Sequence, residues 1–292
     1  MKKVRIFVCM FFAVSAMLSF AVRAAVAETV PVVPGSLCEV SFKARIVSGL
    51  SFETHPQLED MMSLYVSRPQ VAEDAAMPAV NWRFVDRNGK SMNRAWQGGA
   101  GFTLFYRAWR EYRFGVYVPE GATAIRLSAY PNRKGNRAEI SSVSVKTLPR
   151  GKVVNVNPDF SMSGIAVPGW QLVSAARLSL SEGSRPHVDL TGGSICSDPF
   201  PLVPGTRMRL IARGSTCRDQ VRCRPLKCSL RYLESYADAA TISKHMKSAS
   251  QLQFSNVKAE EKSLEFVVPE GVRWARIFAN GGVLEKAEVR EN

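Results

Sequence analysis

The sequence repeats itself. "YVPEGA" at residues 117–122 returns as "VVPEGV" at 267–272. The match extends without gaps, so that "FTLFYRAWREYRFGVYVPEGATAIRLSAY" (102–130) lies over "LQFSNVKAEEKSLEFVVPEGVRWARIFAN" (252–280). Phe102 falls on Leu252, Phe114 on Leu264, Val116 on Phe266, Ile125 on Ala275 and Leu127 on Ile277. Upstream, "WRFVD" (82–86) resembles "LRYLE" (230–234), and "VVPGSLCEVSFKAR" (32–45) resembles "LVPGTRMRLIARG" (202–214). The blocks keep one order in both halves and only the spacers differ. A tandem duplication follows, so whatever one unit folds into, the chain holds it twice.

What the unit folds into is set by the polarity of the blocks. Tyr112, Phe114, Val116 and Val118 share one face of an extended segment, while Arg113 and Gly115 take the other. Phe84 with Tyr232, and Leu127 with Ile277, behave alike in their own segments. Period-two alternation is the signature of a half-buried strand. The repeated phrase is punctuation. Proline presets the backbone for the second position of a type I turn and glycine suits the fourth, so V-P-E-G is expected to end one strand and turn the chain into the next. V-P-G at 33–35 and 203–205 introduces a strand in the same way. Helical spacing is scarce, with "PQLEDMMSLYV" (56–66) as the best candidate. The expected fold is all-β, two tandem β-sandwiches over residues 28–150 and 151–292.

The second half runs "NPDFSMSGIAVPGW", "HVDLTGG…ICSDPFPLVPGTRMRLIARG", "CSLRYLES" and "FVVPEGVRWARIFANGG…EKAEV". In that order it resembles the galactose-binding-like jelly rolls among carbohydrate-binding modules, particularly the CenC-like type. Such modules open on an N-x-x-F strand leading to G-W, continue through P-G into a long strand, and close on a P-x-G turn and a final strand. Residues 155–292 match that plan over nearly their whole length and 28–150 in part. The first half has no evident opening strand, so its sheet is completed by another segment or left short. The resemblance implies a non-catalytic glycan binder. The paired aspartates of the closing strand are replaced by "AEISSVSV" and "LEKAEV", which argues against a structural calcium, and no cofactor is expected.

The start of the chain looks like a secretory leader over residues 1–27. Lys2, Lys3 and Arg5 precede an apolar run from Ile6 to Val22, and Ala25-Val26-Ala27 closes it as an A-x-A site. The run falls short of the roughly 20 residues a membrane span needs, so no stable span is expected after cleavage. The destination would be secreted, periplasmic or cell envelope. The 39 Lys and Arg include four in the leader, so 35 face 25 Asp and Glu beyond it. This basic excess is split evenly between the halves and concentrated in no arm. It suits an acidic polysaccharide, and with export it speaks against nucleic acid. Three of the five remaining cysteines, Cys217, Cys223 and Cys228, lie within "TCRDQVRCRPLKC". Their spacing lacks the zinc CxxC, so no metal is expected, and in an exported chain disulfides are the default, Cys217–Cys228 or Cys217–Cys223.

Catalytic motifs are missing. The histidines are scattered, and no nucleophile elbow, zinc helix or phosphate loop is present. Aromatic residues say more. "RAWQGGAGFTLFYRAWREY" (94–112) carries six in nineteen positions, and Trp109 falls on Ala259 of a polar hairpin tip, where the core pattern does not call for it. Sugar rings stack their C–H faces on such side chains while neighbouring polar groups bond the hydroxyls. The candidate ligand residues are therefore Trp96, Gln97, Tyr106, Trp109 and Arg110 in the first half, and Tyr236, Trp274 and Arg276 in the second. Arg126 coincides with Arg276 in the overlay, and Arg83 with Arg231, an inherited polar face. The rival expectation is a structural or adhesive envelope protein that uses the "FTLFYRAW" edge for protein contacts.

Overall fold

The computed structural model describes residues 27–56, 77–92, 101–132, 134–161, 167–174, 176–179, 186–216, 224–236 and 248–292. The proposed leader up to residue 26 and the candidate helix beyond residue 56 lie outside them.

The first half contains β1 (Ala27–Pro31), β2 (Leu37–Ser48), β3 (Ala79–Val85), β4 (Gly101–Thr103), β5 (Arg110–Tyr117), β6 (Ala124–Tyr130) and β7 (Arg137–Leu148). They form a four-stranded sheet, β1-β6-β3-β4, and a three-stranded sheet, β5-β2-β7. The second half contains β8 (Trp170–Ser174), β9 (Arg177–Ser179), β10 (His187–Asp189), β11 (Gly193–Ser197), β12 (Phe200–Pro201), β13 (Arg207–Ser215), β14 (Leu226–Leu233), β15 (Ser248–Phe254), β16 (Glu260–Val267), β17 (Trp274–Asn280) and β18 (Val283–Glu291). These build a five-stranded sheet, β16-β13-β18-β10-β9, and a six-stranded one, β15-β14-β17-β11-β8 with β12 also on β17. All sheet pairings among the described residues are antiparallel, and the fold is two tandem β-sandwiches.

Register repeats along with sequence. Trp82 faces Leu127 and Arg83 faces Arg126, while their counterparts Leu230 and Arg231 face Ile277 and Arg276. Val40 faces Phe114 in the first sandwich and Leu210 faces Leu264 in the second. The alternating apolar positions meet between the sheets. Phe42 stacks on its cross-strand neighbour Tyr112 with centroids 5.1 Å apart, and Trp82 of the four-stranded sheet stacks on Phe114 of the opposite sheet at 5.0 Å. Leu210, Leu230, Phe254, Ile277 and Val289 are fully buried in the second core. Each aliphatic side chain enclosed this way contributes about 1.5–3 kcal/mol against exposure.

The repeated turns differ from expectation by one residue. Ala122 N–H donates to the Pro119 carbonyl (3.2 Å) and Val272 N–H to that of Pro269 (3.3 Å). Proline thus sits first in the turn and glycine third, with φ of 85° at Gly121 and 80° at Gly271. A third position at positive φ is the type II requirement, which glycine meets without steric cost. The V-P-G turns lock against them: Val118 N–H reaches the Ser36 carbonyl, and Val268 N–H that of Thr206.

The copies diverge at their openings. Val30 and Pro31 of β1 pair with Ile125 and Ala124, as Phe200 and Pro201 of β12 pair with Ala275 and Trp274. β1 continues unbroken where the second copy splits into β12 and β11. Among the described residues, the first sandwich has no counterpart of β8, β9 or β10. Residues 157–160, read as an opening strand, form a turn instead, with Asn157 and Phe160 at positive φ. That turn delivers Phe160 to the core beside Trp170, whose Nε1–H donates to the Asn157 carbonyl (2.8 Å).

The sandwiches are docked on each other. Leu37 and Tyr117 of the first pack against the second core, while Leu233, Tyr236 and Trp274 pack against the first. The connection adds polar clasps: Asn155 exchanges hydrogen bonds with the Ala287 carbonyl (2.9 Å) and the Val289 N–H (2.7 Å).

Candidate functional site

The candidate residues separate into two surfaces and one buried position, while Trp96 and Gln97 lie outside the described residues. The first surface is the outer face of β5-β2-β7 and its adjoining loop. Trp109 immediately precedes β5, and Arg45 of β2 lies over its ring, Cζ at 4.7 Å from the centroid. Arg45 also bonds Glu139 of β7 (2.9 Å), which Arg137 reaches too at 3.2 Å. The Arg45 hydrogen bond is the main force holding the Glu139 carboxyl below its usual range. Arg110 lies over Tyr106 at 4.4 Å, and Phe52 meets Tyr106 edge-on at 5.4 Å. The two half-buried rings each have one face occupied by a guanidinium of the same chain.

The second surface lies between the sandwiches. A cleft of about 520 Å³ is lined by Met92, Pro119, Glu120, Glu234, Arg273 and Trp274, among others. Trp274 opens β17 and is half-buried. Tyr236, nearly buried, meets it edge-on at 5.1 Å and reaches Phe84 of the first sandwich at 6.4 Å. The Trp274 ring is therefore held by the docking of the two copies. Glu120, Glu234 and Arg273 are exposed and supply charged groups at the rim. An apolar floor with a few converging polar groups and this volume is what small-ligand sites present. Glu120 escaped the sequence reading because V-P-E-G reads as punctuation, yet that turn forms one wall.

Arg276 belongs to neither surface. It is fully buried, with Nε donating to the Ser197 carbonyl at 2.5 Å and Nη2 3.5 Å from Gln171 Oε1. Desolvation lifts the Asp198 carboxyl to about 6 although the Arg276 charge pulls the other way. Arg276 is thus a structural charge enclosed by side chains and backbone of β8 and β11 in its own sheet and presents nothing to a ligand at the surface.

The cysteine reading requires correction. Cys228 carries a free thiol buried in the second core, and burial raises its pKa to about 12. It shares the inward face of β14 with Leu226 and Leu230, so it cannot staple the loop before it. Cys217 and Cys223 lie outside the described residues. Cys38 and Cys196 are also free and buried.

Among the described residues, no group of three or more His, Cys, Asp or Glu stands close enough to hold a metal ion. In the same residues no helix is long and apolar enough to cross a membrane.

No family model matches the chain, and no curated protein sequence does. Among solved structures it is similar to the tandem CBM22-1–CBM22-2 domain of Paenibacillus barcinonensis Xyn10C, at 10% identity and TM-score 0.36, covering 90% of this chain and 82% of that one. The C-terminal family 22 carbohydrate binding module of Clostridium thermocellum Xyn10B aligns at 11% identity and TM-score 0.34, over 49% of this chain and 97% of that one. A CBM4 structure aligns at 11% identity and TM-score 0.33, over 47% and 98%. Superpositions this loose leave the fold assignment to the strand order and register described above.

Proposed function

We propose that the chain is a secreted, non-catalytic glycan-binding protein and that its ligand seats in the cleft between the two sandwiches. The observation that carries this reading is Trp274, an aromatic ring half-open to a cleft of about 520 Å³ and rimmed by Glu120, Glu234 and Arg273. The indole offers a sugar ring a flat apolar surface, and Tyr236 fixes its orientation from the side. The carboxylates accept hydrogen bonds from hydroxyls and Arg273 donates them. Trp109 and Tyr106 are the weaker platform because arginines already cover one face of each. Residues 1–27 act as the export leader, which puts the glycan outside the cell or in its envelope. The CBM22-2 domain of Xyn10C is a xylan-binding domain, which makes xylan a sensible member of the first ligand panel.

Affinity electrophoresis of the full chain through gels containing xylan and other soluble polysaccharides tests the proposal. At least one polysaccharide should retard the wild type, W274A should run unretarded in that gel, and W109A should follow the wild type. Free migration in every gel, or W274A retarded like the wild type, contradicts it.

A further inference from the structure

The two copies treat one inherited pair of arginines in opposite ways. In the second sandwich Arg231 and Arg276 face each other across β14 and β17. Arg276 is enclosed by Gln171 of β8 and Ser197 of β11 and feels the charge of Asp198, while Arg231 lies over the Phe278 ring at 4.4 Å. Arg276 is thus held within its own domain, while Arg231 rests on an aromatic face with its Nε buried and without a hydrogen-bond partner among the described residues.

In the first sandwich Arg83 and Arg126 face each other across β3 and β6 in the same register. Their neighbours along each strand, Trp82, Phe84, Ile125 and Leu127, are buried. Both guanidinium groups are therefore directed to the outer face. Arg126 is exposed and Arg83 half-exposed. Beyond β1, their sheet has no counterpart of β8 among the described residues. The position of Phe278 is held by Ser128, and that of Trp274 by Ala124. Thr29 of β1 completes the row beside Arg126, and Ser128 and Asn81 form the next. Small and polar groups thus surround two long cations. The only carboxylate on β1, Glu28, is paired with Leu127 and belongs to the opposite face. Neither arginine has an ion-pair or hydrogen-bond partner among the described residues.

Two like charges directly opposed on adjacent strands repel each other. A bound anion turns that repulsion into attraction, and the planar guanidinium fork fits oxyanions in a bidentate way. We infer that Arg83 and Arg126 form an anion site on the outer face of the four-stranded sheet, taking a carboxylate or sulfate substituent of an acidic polysaccharide. The inference rests on the glycan-binding reading and narrows its ligand to a charged chain. The cleft at Trp274 supplies stacking, and the arginine pair selects for acidic substituents.

The full chain is run by affinity electrophoresis, at one ionic strength, through gels holding polygalacturonate, dextran sulfate or neutral dextran. The first supplies carboxylates, the second sulfates and the third neither. The wild type should be retarded by at least one polyanion. R83Q/R126Q should weaken that retardation by about tenfold or more, the scale of losing charge-assisted hydrogen bonds. K134Q/K258Q removes the same charge from two exposed turn lysines and should change it by less than about threefold, as expected of a rim charge. R83K/R126K, which keeps the charge and loses the fork, should fall between. Free migration of the wild type in both polyanion gels overturns the inference, as does equal retardation of the two glutamine double variants. W274A separates it from the cleft. If W274A runs like the wild type in every gel that retards it while R83Q/R126Q is released, the cleft is wrong and the anion site stands. If W274A is released and R83Q/R126Q is not, the cleft stands alone.

Discussion

Replacing Arg276 by alanine should unfold the second sandwich far more readily, while the same change at Arg126 should do almost nothing. Arg276 is fully buried, and its Nε hydrogen bond to the Ser197 carbonyl lies in the interior. Losing such a charged hydrogen bond costs about 1.5–3 kcal/mol. The truncated side chain leaves a void, and large-to-small changes in a core add to the loss. Asp198 then loses its opposing charge, but with a pKa already near 6 it can take up a proton, which limits the electrostatic part. The sum is about 3–5 kcal/mol, the range for breaking a buried charge pair. In a domain of this size that lowers the melting temperature by roughly 10 °C or more. Arg126 is exposed with no partner to lose among the described residues, so R126A should stay within about 0.5 kcal/mol. Denaturant unfolding of the full chain, followed by near-ultraviolet dichroism, resolves the difference. R276M should recover part of the loss, because methionine refills much of the volume without a charge. Equal and small effects for R276A and R126A would refute the idea that β8 and β11 enclose Arg276 while its counterpart Arg126 is left open.

Acid stability should depend on Asp198. Its native pKa of about 6 lies above the unfolded value, so the folded form keeps a proton that the unfolded chain has released. That contribution is fully present below about pH 4 and lost as pH rises through 6, amounting to at most about 3 kcal/mol. D198N should remove this part of the difference in unfolding free energy between pH 4 and 7; an unchanged difference contradicts the assignment. Cys38, Cys196 and Cys228 should resist iodoacetamide in the native chain and react fully in denaturant, which mass spectrometry of peptides reads directly. Native labelling of Cys228 on the timescale of a free peptide thiol would contradict its burial, since reactivity needs an accessible thiolate.

Much of the fold was legible because strands announce themselves locally. The alternation around Phe114 and Leu264 fixed which face turns inward, and the gapless overlay placed β5 with β16 and β6 with β17 before any pairing was known. The turn type was less legible, since a proline-glycine phrase fits two frames and the choice depends on locking to the V-P-G turn at a distance. Arg276 was misread for a related reason. Its burial comes from Gln171 and Ser197, which are remote in sequence, and Gln171 lies on β8, which has no counterpart in the first copy among the described residues. Cys228 was recoverable: its parity with Leu226 and Leu230 points inward, and clustering with other cysteines obscured that. Trp274 and Tyr236 stood out as aromatic residues, yet Glu120 and Glu234 acquire their setting only when two sandwiches dock. Arg45 illustrates the same limit, because nothing near it in the chain shows that it will lie on Trp109.

Isothermal titration calorimetry of wild type, W274A and W109A, with whichever polysaccharide retards the wild type most strongly, bears most directly on the cleft. W274A should bind at least about tenfold more weakly, a loss of about 1.4 kcal/mol, while W109A stays within about threefold of wild type. A W274A chain that titrates like the wild type, with the loss appearing in W109A instead, would contradict the account.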